Sequence, residues 1–206
     1  MRIYLVRHGL SRSNKKSTYS HPETPLSKEA EDQLQPVRKR LNELKFDQVY
    51  SSNLPRAMDT AKILGYPDHL IEPRLAERNY GIFIGHTHEE CLDLFPEAYA
   101  EYQKDPVAYP IPEGESFHQV CDRVWAFLDE LSAKERAATP QISGFRPYPA
   151  DESQILLVAH FNVIAACMCW VFENRDLSHH LVCDNGGVLL LDIRGKLKTI
   201  FIERDM

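Results

Sequence analysis

The sequence predicts an α/β fold with a mostly parallel central sheet and a hairpin at one edge. Three observations carry this prediction: short apolar strand-like runs stop abruptly at polar loops, helical patterns follow those loops, and the chain closes on two adjacent strand-like runs. With 206 residues the chain fits a single domain, 1–206, large enough to bury about 70% of the surface that its unfolded form exposes.

Arg2 to Val6 alternates Ile, Tyr, Leu and Val and ends at Arg7-His8-Gly9, a strand-end loop. From Ser27, a good N-cap followed by Glu29, Glu31 and Asp32, Leu34, Val37, Leu41 and Leu44 recur at helical spacing, with Pro36 expected to kink the helix. Phe46 to Ser51 reads as the second strand and Leu54 to Leu64 as the helix after it. Glu115 to Leu131 carries Phe117, Val120, Val124, Phe127, Leu128 and Leu131 on one helical stripe. Gln154 to Ala159 is almost wholly apolar, as expected of a parallel strand buried on both faces. The polar His160-Phe161-Asn162 then leads into an apolar helix from Val163 to Phe172. Val188 to Ile193 and Leu197 to Ile202 form the closing hairpin, turned at Arg194-Gly195-Lys196. The Pro- and Gly-containing stretch 137–153 reads as a surface loop, whose role as a lid is the less favoured alternative.

Composition sets outer bounds. Apolar residues make up 43% and charged residues 26%, the balance of a globular protein. A formal charge of −6 argues against nucleic acid as partner, because a phosphate backbone calls for a basic face. A small anion needs only two or three local cations. The five cysteines, Cys91, Cys121, Cys167, Cys169 and Cys183, are an odd set without a C-x-x-C pair and read as reduced, buried thiols. Neither the opening MRIYLV nor Val163 to Phe172 is long enough for a signal h-region or a membrane span, so the cytoplasm is the expected compartment and no membrane is engaged.

His8 and His160 each stand directly after a buried strand, and ligands of open α/β sheets bind beyond the carboxyl ends of the strands. Arg7 adjoins the first histidine, Arg56 opens the helix after the second strand, and Glu77 follows Leu75 near another expected strand end. Two imidazoles, two guanidiniums and a carboxylate suit phosphoryl transfer. Planar Arg forks hold phosphate oxygens bidentately, a neutral imidazole can attack phosphorus, and a carboxyl group can protonate the leaving alkoxide and then deprotonate water. His86-Thr87-His88-Glu89-Glu90 lacks a defined third ligand, so it reads as a helix start rather than a metal site, and His179-His180 as surface.

Five motifs in order, LVRHG (Leu5 to Gly9), SSNLPRAMDTA (Ser51 to Ala61), LAERNYG (Leu75 to Gly81), PEGESF (Pro112 to Phe117) and LVAHFNVI (Leu157 to Ile164), make the chain resemble the histidine phosphatase superfamily, which includes the phosphoglycerate mutases. The resemblance implies a three-layer α/β/α sandwich of phosphoglycerate mutase-like topology. It implies His8 as nucleophile, Arg7, Arg56 and His160 around the phosphate, and Glu77 as proton donor to the leaving group. Asn14 and the backbone N–H of Phe161 match further phosphate-contacting positions. It implies no metal and no cofactor, and a small phosphorylated metabolite as partner; a homodimer is compatible with it.

Leu10, Phe161 and Phe83-Ile84-Gly85 depart from the family pattern, and none removes a catalytic group. Phe161, where a Gly is common, is expected to place an aromatic wall beside the pocket. Thr24 to Ser27, Phe46 to Ser52 and Ile111 to Phe117 are most similar to the α-ribazole phosphatase and broad-specificity phosphatase branch. The leading expectation is a metal-independent phosphomonoesterase with a phosphohistidine intermediate on His8, acting on α-ribazole 5'-phosphate or on a sugar or acid phosphate. The alternatives are a phosphoglycerate-type mutase, disfavoured by the lack of a long insertion, and a non-catalytic phosphate-binding module, disfavoured because nucleophile and acid are both present. Attack by neutral His8 with protonated Glu77 predicts a bell-shaped pH profile.

Overall fold

The computed structural model describes residues 1–138, 153–180, 182–194 and 197–202. Six strands form one sheet: β1 (Arg2–Arg7), β2 (Gln48–Ser51), β3 (Leu70–Ile71), β4 (Gln154–Ala159), β5 (Val188–Arg194) and β6 (Leu197–Ile202), in the order β3-β2-β4-β1-β5-β6. The first four are mutually parallel, with Leu5 opposite Leu157 and Tyr50 opposite Leu157, while β5 runs antiparallel to β1 and pairs with β6 as the hairpin. Gly195 and Lys196, at the expected hairpin turn, lie outside the described residues.

Alternation along the central strands builds the layers. Ile3 and Leu5 of β1 and Leu157 of β4 face a core shared with α6 (Phe117–Ala138) and α7 (Phe161–Phe172). Tyr4 and Val6, with Leu156 and Val158, face a second core shared with α2 (Ala30–Leu41) and α3 (Pro55–Ile63). Helices thus cover both faces, the expected three-layer sandwich. A third, smaller cluster (Tyr19, Phe83, Cys91, Tyr99, Ile111) gathers α4 (His88–Leu94) and α5 (Pro96–Lys104) under the loops beyond the strand ends. Among the described residues no helix is long and apolar enough to cross a membrane.

Several boundaries differ from expectation. Ser27 does not cap α2: the helix begins at Ala30 with no side-chain cap and ends at Leu41, although Leu34, Val37 and Leu41 are buried as the spacing requires. Leu75 lies in a 3-10 turn (Pro73–Leu75) rather than a strand, so Glu77 stands in the loop after that turn. Helix α6 extends through Ala138, absorbing the first two residues of the expected 137–153 loop, and residues 139–152 lie outside the described residues. Ser116 starts this helix with a reciprocal cap, its Oγ accepting from the Gln119 N–H at 3.2 Å and its own N–H donating to Gln119 Oε1 at 2.7 Å. The His86–Glu90 segment does open a helix, capped by Thr87 with Glu89 and Glu90 in the first turn.

Candidate active site

Three strand ends converge beyond the carboxyl edge of the sheet. His8 follows β1, and its N–H is held by the Ala159 carbonyl at the end of β4, at 2.9 Å. His160 follows β4 as the N-cap of α7, and Ser52 follows β2, bonded through its N–H to the Val158 carbonyl. The two imidazoles come to 5.1 Å between ring centroids. Both are buried, as is Arg56 in the first turn of α3.

The loop that carries His8 is tied from several sides. The Gly9 N–H donates to Thr60 Oγ1 (3.0 Å), which in turn donates to the Arg56 carbonyl (2.7 Å), so α3 positions both the loop and the arginine. Gly9 has to be glycine, because a Cβ there would sit 2.9 Å from Leu34 Cδ1 and 3.2 Å from Ala30 Cβ of α2. From the far end of the chain, Asn185 Nδ2 reaches the His8 carbonyl and the Asn14 side chain, both at 3.1 Å.

These contacts set the electronic state of His8. Its Nδ1 lies 2.7 Å from the Gly9 carbonyl, an acceptor only, so Nδ1 carries the proton and Nε2 keeps its lone pair. Burial first, and then the Arg56 charge, lower its pKa from 6.5 to about 3; the hydrogen bond to the Gly9 carbonyl opposes them, and the Arg7 charge adds a smaller push downward. His160 is likewise held neutral, by burial and then by Arg56. Burial also lowers the pKa of Arg56, while Glu77 pulls it the other way. A pocket that keeps two imidazoles uncharged beside two guanidiniums offers a nucleophilic nitrogen to an anion.

Donors in the pocket lack protein partners. Arg56 Nη1 donates to the His21 and Pro22 carbonyls, each at 3.2 Å, and Arg7 Nη1 to the Cys183 carbonyl, but Nε of both arginines and Nδ1 of His160 are buried without a hydrogen bond. Buried polar atoms are usually satisfied, and these three, on residues gathered at the strand ends, keep hydrogen-bonding capacity for an external acceptor. Asn14 Oδ1 accepts from the Ser11 N–H, the Ser11 hydroxyl and Asn185, so Nδ2 is the amide function that these bonds leave unengaged.

Beside this pocket opens a cleft of about 440 Å³ lined by Arg7, Asn14, Glu77 and Phe161 together with Tyr19, Tyr80 and Asn162. Glu77 Oε1 accepts from the Arg78 N–H at 2.9 Å and from the Asn162 N–H at 3.3 Å. The Phe161 ring lies 5.5 Å from the Arg7 guanidinium carbon, the aromatic wall expected of this position.

The PEGESF segment buttresses the Glu77 loop. Gly81 and Gly114 pack backbone on backbone, where a Cβ on Gly81 would fall 2.0 Å from the Pro112 carbonyl oxygen. Arg78 donates to the carbonyls of Pro106, Tyr109 and Glu115, and Arg123 bonds the Glu115 carboxylate and the Arg74 carbonyl.

All seven residues singled out in the sequence therefore lie at this one end of the sheet, His8, His160, Arg7 and Arg56 in the pocket and Glu77, Asn14 and Phe161 along the cleft. Ser52, Thr60, Asn162 and Asn185 are site residues that sequence reasoning did not single out for the chemistry. Ser52, Thr60 and Asn162 fall inside the motifs, but their partners come from distant segments and no local pattern announces them. Among the described residues no group of three His, Cys, Asp or Glu side chains is placed to hold a metal ion.

Comparison with known proteins identifies this fold as that of a phosphatase. The chain belongs to the histidine phosphatase superfamily (branch 1), whose family model matches residues 3–201. It is 29% identical over 206 residues to the adenosylcobalamin/alpha-ribazole phosphatase of Escherichia coli K12, covering 97% of this chain and 94% of that protein. A putative phosphoserine phosphatase 2 of Hydrogenobacter thermophilus is 25% identical, over 97% of this chain and 93% of its own length. Among solved structures, the alpha-ribazole phosphatase of Shigella flexneri superposes with a TM-score of 0.84 at 26% identity, covering 100% of this chain and 96% of that one.

Proposed function

We propose that the protein hydrolyses a small phosphomonoester in two in-line displacements through a phosphohistidine on His8, without a metal or cofactor. The observation that carries this reading is the state of His8: a neutral ring whose Nδ1 proton is held by the Gly9 carbonyl, leaving the Nε2 lone pair beside three unpartnered donors.

In the first step Nε2 of His8 forms a bond to phosphorus as the ester P–O bond breaks, and Glu77 gives its proton to the departing alkoxide. The alcohol leaves through the cleft that Glu77 and Phe161 line. In the second step the Glu77 carboxylate takes a proton from water, whose oxygen bonds phosphorus as the N–P bond breaks, releasing inorganic phosphate. Arg7, Arg56, Asn14, His160 and the backbone N–H of Phe161 hold the phosphoryl oxygens and stabilise their spread charge, the dominant contribution in reactions of this kind.

The substrate is a small organic phosphate met in the cytoplasm, with no nucleic acid or membrane engaged, and a homodimer is compatible with this reading. Alpha-ribazole 5'-phosphate is the first candidate, because relatives matching nearly the whole chain carry that activity in their names. A sugar phosphate or an acid phosphate such as phosphoserine is the second. Phosphate release from a panel of these esters, 3-phosphoglycerate and an aryl phosphate, in excess EDTA and with His8→Ala alongside, tests the reading. EDTA-resistant release abolished in the variant supports it; release that needs a divalent ion, or that survives His8→Ala, overturns it.

A further inference from the structure

We propose that Ser52 is a positioning residue: its hydroxyl donates to Nε2 of His160 and fixes that ring as the Nδ1–H tautomer, so that His160 presents a hydrogen-bond donor to the transferring phosphoryl group. The proposal rests on the phosphatase reading above and assigns how one of its phosphate ligands is prepared.

The hydrogen-bond inventory leads there. Ser52 is fully buried at the end of β2, and its Oγ lies 2.8 Å from His160 Nε2. The same Oγ already accepts from the Leu54 N–H at the start of α3, at 3.1 Å, and the Ser52 carbonyl is taken by the Ser51 hydroxyl at 2.9 Å. The hydroxyl proton of Ser52 therefore has His160 Nε2 as its acceptor. With Nε2 accepting, the neutral ring carries its proton on Nδ1, the buried atom that lacks a protein partner.

The other tautomer fails on two counts. Were Nε2 protonated and donating to Ser52, the serine proton would be buried without an acceptor, and a bare Nδ1 lone pair would face the oxygens of a phosphoryl anion. An imidazolium could donate from both nitrogens, but burial and the neighbouring Arg56 oppose it. His8 and His160 are thus set in matching protonation states by different partners: the Gly9 carbonyl accepts a hydrogen bond from Nδ1–H of the nucleophile, and the Ser52 hydroxyl donates one to the bare Nε2 of its neighbour. One ring is left with a lone pair to attack and the other with a proton to hold the target.

Nitrogen-15 NMR of the full chain, with the His160 signals assigned against His160→Asn, reads the tautomer directly at neutral pH, without ligand and with inorganic phosphate as the probe. The expected result is a protonated Nδ1 and a bare Nε2 in both states. In Ser52→Ala the single tautomer should be lost, with kcat reduced roughly 10- to 100-fold, less than the roughly 100- to 1,000-fold of removing a transition-state donor outright because the ring remains, and Ser52→Thr should restore both. A wild-type ring protonated on Nε2, or on both nitrogens, overturns the proposal, as does Ser52→Ala with an unchanged tautomer and a kcat within twofold of wild type. Because the wild-type tautomer is read without turnover, a chain that shows the Nδ1–H tautomer but releases no phosphate would refute the phosphatase reading and leave the role of Ser52 standing.

Discussion

Acidification from pH 7 to pH 5 should destabilise the phosphate-free protein in a way traceable to two histidines. An unfolded histidine titrates near 6.5, whereas folded His8 is held down to about 3 and His160 well below its ordinary value. Between those limits the unfolded chain binds protons that the folded chain refuses, so stability rises with pH, is fully present above about 6.5, and is lost as pH falls toward 3. For His8 at pH 5 the lost stability is about 2 kcal/mol, from roughly 1.5 pH units below the unfolded pKa at about 1.36 kcal/mol each. His160, held neutral by burial and then by Arg56, adds to the loss in the same direction. Glu29, Glu72 and Glu130 have folded values pulled down by Lys15 or Arg74, so their contribution is lost from the ordinary carboxylate range downward, mostly below pH 5. Urea unfolding at pH 7 and pH 5, in wild type and in His8→Gln, isolates the effect: the variant should lose about 2 kcal/mol less than wild type between the two. Equal losses in both proteins would refute the claim that the pocket excludes the His8 proton.

Arg56→Lys keeps a charge but surrenders the guanidinium fork and its two bonds to the His21 and Pro22 carbonyls. We expect kcat/KM to fall roughly 100- to 1,000-fold, checked by steady-state kinetics on the best ester of the panel. Glu77→Gln should slow alkyl phosphates by at least about 100-fold and a nitrophenyl phosphate much less, because a good leaving group needs no proton; equal slowing of both would remove Glu77 from the acid role. Gly9→Ala places a methyl 2.9 Å from Leu34 Cδ1 and should cost about 1–3 kcal/mol in urea unfolding, with activity falling as the His8 loop shifts.

Much of this molecule is legible in the sequence because its central strands are buried on both faces. LVRHG and QILLVAH are apolar runs ended by polar residues, and that abrupt change is what places His8 and His160 at one edge. Elements without an apolar stripe were not legible: α1 (Arg12–Lys16) is one turn long, and α5 buries Tyr99 alone. Within the site, residues that touch substrate follow from motif and chemistry, whereas those that orient them depend on tertiary partners. Asn185 reaches a carbonyl 177 residues away in the chain. The bond of Ser52 to His160 spans 108 residues and exists only because β2 and β4 are neighbours in the sheet. The packing of Gly114 on Gly81 explains how PEGESF, to which no catalytic role is assigned, fixes the position of the Glu77 loop.

The central claim is that phosphorus changes hands twice, first to His8 and then to water. Hydrolysis of an isotopically chiral thiophosphate ester tests it most directly, because the configuration of the released thiophosphate counts the displacements. Two in-line transfers predict net retention at phosphorus, and net inversion would contradict the phosphohistidine account.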